Sequence, residues 1–293
     1  MGQLIVGAAQ RAPLACEDPL EPFASDVRAT LAAHPEIEVL VYPELHLSGT
    51  EHLAEADRAV ALEAAAVPLQ SVFVETLGDI ARQHGIWLCP GSIGEITPDG
   101  AFANTQLLFA PDGTLRAAYR KMFPWRPFEP HRPGTEFVVQ PMDGRDSVLG
   151  LSICYDAWFP EHSRQLAWLG ADTILNIVKT TSPDREQELV LARANAIVNQ
   201  NVVVSVNCAG PIGRGRSIVV GPEGFVMAEA GLGAETLIAT VDSDRIAAIR
   251  AAGTMGTNRV WSQFQPGDAE IPLPAYAGRI DPTNWAPRNP RTP

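Results

Sequence analysis

The chain has 293 residues, 46% of them hydrophobic and 19% charged, with a formal net charge of -12 and a pI near 4.9. No apolar run approaches the ~20 residues needed to cross a membrane, and so acidic a chain lacks the clustered Lys and Arg that binding to nucleic acid or an anionic membrane requires. A soluble globular protein acting on a small neutral molecule is expected.

Residues 4–9 read as a strand and lack the basic segment, apolar core and cleavage site of a secretory signal, which implies a cytoplasmic protein. Eight further β-rich runs follow, at 38–42, 86–89, 104–109, 147–153, 173–178, 202–206, 217–220 and 237–241. Helical patterns fall between them at 22–33, 68–84, 160–169, 184–199 and 242–251, with Leu69, Val72, Phe73, Leu77 and Ile80 recurring near the helical period. Alternating strands and helices indicate an α/β fold. Two turn signals, Ala110-Pro-Asp-Gly113 and Gly221-Pro-Glu-Gly224, each join one β run to another, so part of the sheet structure is antiparallel and the sheets are mixed. No linker divides residues 1–252. From Gly253 to residue 293 the composition shifts to Pro, Gly, Asn, Trp and Arg, an extended tail whose Trp261, Phe264, Tyr276 and Trp285 are expected to pack on the domain or on a partner subunit.

The four cysteines, Cys16, Cys89, Cys154 and Cys208, have neither zinc nor redox spacing, which points to reduced thiols, three of them structural. Cys154 is the exception. The strand 147–153 runs directly into it, and Pro160 is suited to open the next helix, so Cys154 falls on a strand-to-helix elbow where backbone N–H groups and a helix N-terminus would lower a thiol pKa and hold an oxyanion. Taken alone, the same stretch suits a small buried hydrophobe equally well. Glu44, after Val39-Leu-Val-Tyr-Pro43, and Lys121, before the rigid loop Met122-Phe-Pro-Trp-Arg-Pro-Phe128, also stand at strand ends. Singly, each fits a solvated surface charge. Together with Cys154 they supply a nucleophile, a proton carrier and a cation for a developing oxyanion. The six histidines show no i,i+4 pair and no Cys partner, so no metal is implied, and solvated or helix-end positions suffice for them. Gly210-Pro-Ile-Gly-Arg-Gly-Arg216 fits no phosphate-loop spacing, and no serine-hydrolase elbow is present. Asp156, Glu161 and Arg193 are read as structural ion pairs behind the elbow.

In order and context, Tyr-Pro-Glu44, Tyr-Arg-Lys121 and Cys154-Tyr-Asp-x-x-Phe-Pro-Glu161 resemble the signatures of the carbon–nitrogen hydrolase (nitrilase) superfamily over roughly residues 4 to 250. The resemblance implies a four-layer α-β-β-α sandwich of two mixed sheets, no cofactor, a homodimer or higher homo-oligomer, and catalytic Glu44, Lys121 and Cys154 with Glu129 as a second glutamate. Phe123-Pro-Trp-x-Pro-x-Glu129 and Tyr155-Asp156 are similar to the amidase branch, whereas nitrilases proper usually follow the cysteine with Trp-Glu. Ala157 and Trp158 stand where carbamoylases commonly keep an arginine, which argues against an anionic substrate. The expected activity is hydrolysis of a small amide to acid and ammonia through a cysteine thioester. Glu44 would act as base, Lys121 and the Tyr155 N–H as oxyanion donors, and Glu129 as the group orienting substrate or water, in a pocket lined by Tyr155, Trp125, Trp158 and Phe128 and suited to an aliphatic or aryl amide. An N-carbamoyl amide hydrolase, a nitrilase, an acyl-transferring amidase and a catalytically silent assembly or binding protein are the alternatives.

Overall fold

Strands with apolar side chains on both faces need cover on both sides, and this alternation sets the layers. The computed structural model describes residues 2–273 and 278–280. Val39 and Val41 face one core and Leu40 and Tyr42 another; Leu175 and Ile177 oppose Ile174 in the same way. Three apolar clusters result, one between two sheets and one outside each sheet.

The first sheet contains β1 (Gln3–Gln10), β2 (Val39–Val41), β3 (Trp87–Cys89), β4 (Ser92–Ile96), β5 (Phe102–Phe109), β6 (Leu115–Arg120) and β13 (Glu235–Asp242), in the order β13-β1-β2-β3-β5-β4 with β6 also on β5. The second runs β12-β11-β10-β9-β8-β7, from β7 (Val139–Pro141), β8 (Val148–Ile153), β9 (Thr173–Val178), β10 (Val202–Asn207), β11 (Ile218–Val220) and β12 (Val226–Glu229). In each sheet a central parallel trio, β1-β2-β3 or β8-β9-β10, carries antiparallel neighbours. Both sheets are mixed. Leu149, Leu151 and Ile153 of β8 meet Val6, Ala8, Val39 and Val41 between the sheets, while α1 (Leu20–Ala33) and α3 (Val72–His84) cover the first sheet and α4 (Pro160–Trp168) and α5 (Arg185–Asn199) the second. The four layers are thus α-β-β-α.

Helix α3 begins at Ser71, whose hydroxyl accepts from Val74 N, and ends at Gly85. Helix α2 (Glu55–Ala64), not expected from the sequence, buries no residue. Both turn signals form hairpins, β5 to β6 and β11 to β12. Helix α6 (Ser243–Ala252) precedes the tail, where Trp261 is buried, 6.0 Å from the Trp168 ring with the Arg164 guanidinium over it at 5.1 Å. A short ladder, β14 (Ile271–Leu273) with β15 (Gly278–Ile280), follows. Tyr276 and Trp285 lie outside the described residues. Among the described residues no helix is long and apolar enough to cross a membrane.

Candidate active site

The two sheets meet at the carboxyl ends of β2, β8 and β9, and the site is assembled there. Chain leaving β2 passes Tyr42 and Pro43, then turns at Leu45, which adopts a φ of 48° and donates its N–H to Ser92 Oγ at 2.9 Å. Gly91 permits this turn, because a Cβ there would lie 2.0 Å from the Pro43 carbonyl oxygen. Glu44 is thereby driven inward to 2% exposure. Its Oε1 accepts from Asn104 Nδ2 and Lys121 Nζ, each at 2.9 Å, and its Oε2 accepts from the Lys179 backbone N–H at 3.0 Å. The contact to Lys179 shows the end of β2 touching the end of β9, across the two sheets.

Lys121 follows β6, its N–H donating to the Asn104 carbonyl at 2.9 Å and its own carbonyl accepting from Gly134 at 2.8 Å. Its ammonium is fully buried and also donates to both oxygens of Glu129, at 2.7 and 2.9 Å. One buried cation is therefore held by two carboxylates. Burial alone would lower the Lys121 pKa, but the Glu44 and Glu129 carboxylates outweigh it and hold the ammonium charged, well above its ordinary value. Burial would likewise raise Glu129, yet His131 and Lys121 hold it down at about 2.

Strand β8 delivers Cys154 at a φ of 44°, a strained conformation for a residue with a side chain. The elbow carries a correction. A 3-10 turn, Cys154–Trp158, separates the cysteine from α4, so that helix N-terminus does not adjoin the sulfur, and the thiol pKa is pushed well above its ordinary value. Burial is the larger cause and the Glu44 charge the next, with Lys121 offsetting only part. Burial and the neighbouring carboxylates thus favour the thiol over the thiolate at this position.

A cavity of about 40 Å³ opens onto Cys154, with Glu129, Trp125 and Tyr155 in its wall. Phe128 and Trp158 are not part of that wall. Phe128 is 67% exposed and packs at a tilt against Trp125 with ring centroids 4.3 Å apart, while Trp158 lies at the far end of the 3-10 turn with its ring 5.8 Å from that of Tyr155. Two larger clefts, of about 350 and 340 Å³, lie away from these groups, one around Arg120 and Arg132 and one around Phe225 and Arg245. Four polar groups that the sequence reading did not single out complete the site: Asn104, Lys179, Thr180 and Glu188. Thr180 and Lys179 follow the end of β9, and the strand-end criterion that selected Glu44 would have found them.

Behind the elbow, Asp156 forms hydrogen bonds rather than the expected ion pair. It accepts from Tyr119 Oη at 2.7 Å and from the N–H groups of Ile153 and Phe123 at 2.9 Å, and burial, opposed by Lys121 and these donors, pushes its carboxyl up to about 7. Arg193 is elsewhere, donating to the Gly224 carbonyl at 3.1 Å, and Glu161 is exposed. The histidine expectation also fails in part. His46, His131 and His162 are buried, His46 stacked on Tyr42 and His162 bonded to Tyr119 Oη at 2.8 Å. Burial drives both His46 and His162 down to about 3, so they sit neutral in the core. Among the described residues no group of three His, Cys, Asp or Glu side chains is placed to hold a metal.

Known proteins share this arrangement of chain. The formamidase of Pseudomonas syringae pv. tomato is 32% identical over 211 residues, 70% of this chain and 60% of its own. The chain thus spans 60% of the length of that curated relative. Saccharomyces cerevisiae Nit3, a member of branch 10 of the nitrilase superfamily, superposes with a TM-score of 0.77 at 25% identity, over 88% of this chain and 97% of its own. An amidase from Nesterenkonia sp. AN1, in a form where acrylamide has added to its active site cysteine, superposes with a TM-score of 0.66 at 25% identity, over 86% of this chain and 97% of its own. Residues 6–251, from the first strand through the last long helix, match the carbon-nitrogen hydrolase family, and to that family the chain belongs.

Proposed function

We propose that the protein hydrolyses a small, uncharged amide to a carboxylic acid and ammonia through a thioester on Cys154. The observation that carries this reading is the fully buried Lys121 ammonium held by both Glu44 and Glu129 beside the Cys154 cavity. Glu44 takes the thiol proton as Sγ bonds to the amide carbon, and the raised thiol pKa supports a base acting in step with attack. Lys121 and the Tyr155 N–H stabilise the oxyanion. Glu44 then returns the proton to nitrogen as the C–N bond breaks and ammonia leaves. In the second half, Glu44 deprotonates water, whose oxygen attacks the thioester; the C–S bond breaks and the thiol regains a proton. Glu129, bonded to the same ammonium, orients the water or the amide nitrogen.

The cavity of about 40 Å³ supports an acyl group of very few carbons, in place of the aryl amides that adjacency in sequence allowed. The wall carries the carboxylates Glu129, Asp184 and Glu188 against the cation Lys179, a balance that supports a neutral substrate over an anionic one. The similarity to formamidases agrees with both. The test is ammonia release from a panel of short amides, N-carbamoyl compounds and nitriles. Short amides are expected to be turned over and Cys154→Ala to abolish turnover with unchanged thermal unfolding; full activity in Cys154→Ala, or turnover of nitriles alone, would overturn the proposal.

A further inference from the structure

Cys154 has a second polar neighbour besides Glu44. Thr180 Oγ1 lies 4.0 Å from Cys154 Sγ and donates to Glu188, whose oxygens are at 2.7 and 2.9 Å. The backbone of Thr180 is clamped by Asn207, which accepts from its N–H at 2.8 Å and donates to its carbonyl at 3.3 Å. Glu188 is 7% exposed and is held by the buried Arg185, whose Nη1 donates to Glu188 Oε2 at 3.0 Å. The chain Arg185–Glu188–Thr180 is thus fixed at each link and ends 4.0 Å from Cys154 Sγ, and the catalytic steps above do not use it.

A threonine hydroxyl has one proton. While that proton is given to Glu188, only a lone pair faces the sulfur, an arrangement that suits a thiol and repels a thiolate. We propose that Thr180 is a positioning residue for Cys154: its hydroxyl is committed to Glu188 at rest and turns to the sulfur as negative charge forms there, so that Glu188 holds the resting enzyme in the thiol form. This rests on the proposed role of Cys154 as nucleophile. The other charges facing the sulfur are Glu44, Lys121 and Glu129, and those facing Glu188 are Arg185 and Asp184.

The test is the pH dependence of Cys154 alkylation by iodoacetamide on the full chain, read at the Cys154 peptide by mass spectrometry, which requires no turnover of amide. In Glu188→Gln, Arg185 fixes the amide oxygen at the former Oε2, so the NH2 donates to Thr180 Oγ1 and frees the hydroxyl proton for sulfur. The inflection is expected to fall by about one pH unit, a roughly tenfold gain in rate near neutrality. In a Thr180→Val background the same Glu188→Gln change should lose at least half of that shift, while Thr180→Ser keeps the wild-type profile. An unaltered profile in Glu188→Gln, or the full shift persisting without the hydroxyl, overturns the proposal. Should Glu188→Gln unfold, Thr180→Val alone is decisive: its inflection is expected above that of wild type and Thr180→Ser, and coincidence of the three overturns it. Absence of amide turnover with these shifts intact would instead defeat the proposed function and leave the relay standing.

Discussion

Replacing Lys121 by methionine keeps its approximate volume and removes its charge. Both Glu44 and Glu129 bond the same nitrogen, at 2.9 and 2.7 Å, so their carboxylate oxygens lie within ~6 Å of each other. Without the ammonium, two unit charges at ~6 Å repel by about 3 kcal/mol at an effective dielectric constant near 20. The pair relieves this by taking up a proton, which raises a carboxyl pKa in the folded state above its unfolded value. A group of that kind contributes its stability in full below the unfolded pKa and loses it as pH rises through the folded one. Lys121→Met is therefore expected to unfold in urea with a deficit that is small near pH 5 and reaches about 3 kcal/mol by pH 8. Ammonia release should fall by at least ~100-fold, since the variant loses an oxyanion donor and half-neutralises its base. A deficit that does not change between pH 5 and pH 8, or wild-type turnover, would refute the reasoning that one cation organises both carboxylates.

Two further outcomes follow from packing and burial. Leu151, fully buried between the sheets, should cost about 3 kcal/mol when changed to Ala, read as a lower urea midpoint with unchanged slope; a loss under ~1 kcal/mol would mean that the two inner faces are not in close contact there. Asp156→Asn should cost about 1–3 kcal/mol at pH 8, where the ionised carboxyl accepts from all three donors and an amide would set an N–H group against one of them. The wild-type carboxyl, raised to about 7 by burial, contributes its stability below pH ~4 and loses it as pH rises toward about 7. The gap between the two proteins is accordingly expected to narrow over that range in urea titrations, and a gap that widens would contradict it.

What the sequence disclosed depended on how burial was achieved. Strands β1, β8, β9 and β10 are buried through apolar side chains, and their runs are plain in the chain. Strand β4 is equally buried, but Ile93 stands there among Ser92, Gly94 and Glu95, so no apolar run marks it; Glu95 is held there by Arg120 and Thr105. Helix α2, also missed, differs in that none of its residues is buried. Strand β12 is mostly exposed and only three residues of β7 pair, which places both below what periodicity resolves.

The same reasoning explains which parts of the site were legible. Glu44, Lys121 and Cys154 each end an apolar run, so local context sets them apart before any fold is known. Glu188 has no such context: Glu186, Gln187 and Glu188 are consecutive polar residues at the start of α5, and only the packing of that helix decides that the first two face solvent and the third faces Thr180. A carboxylate of this kind can be buried because Arg185, one turn earlier, enters the core with it. Removing Arg185 would leave an unpaired buried charge beside Cys154. The position of the pair beside Cys154 follows from where β9 ends rather than from any pattern along the chain.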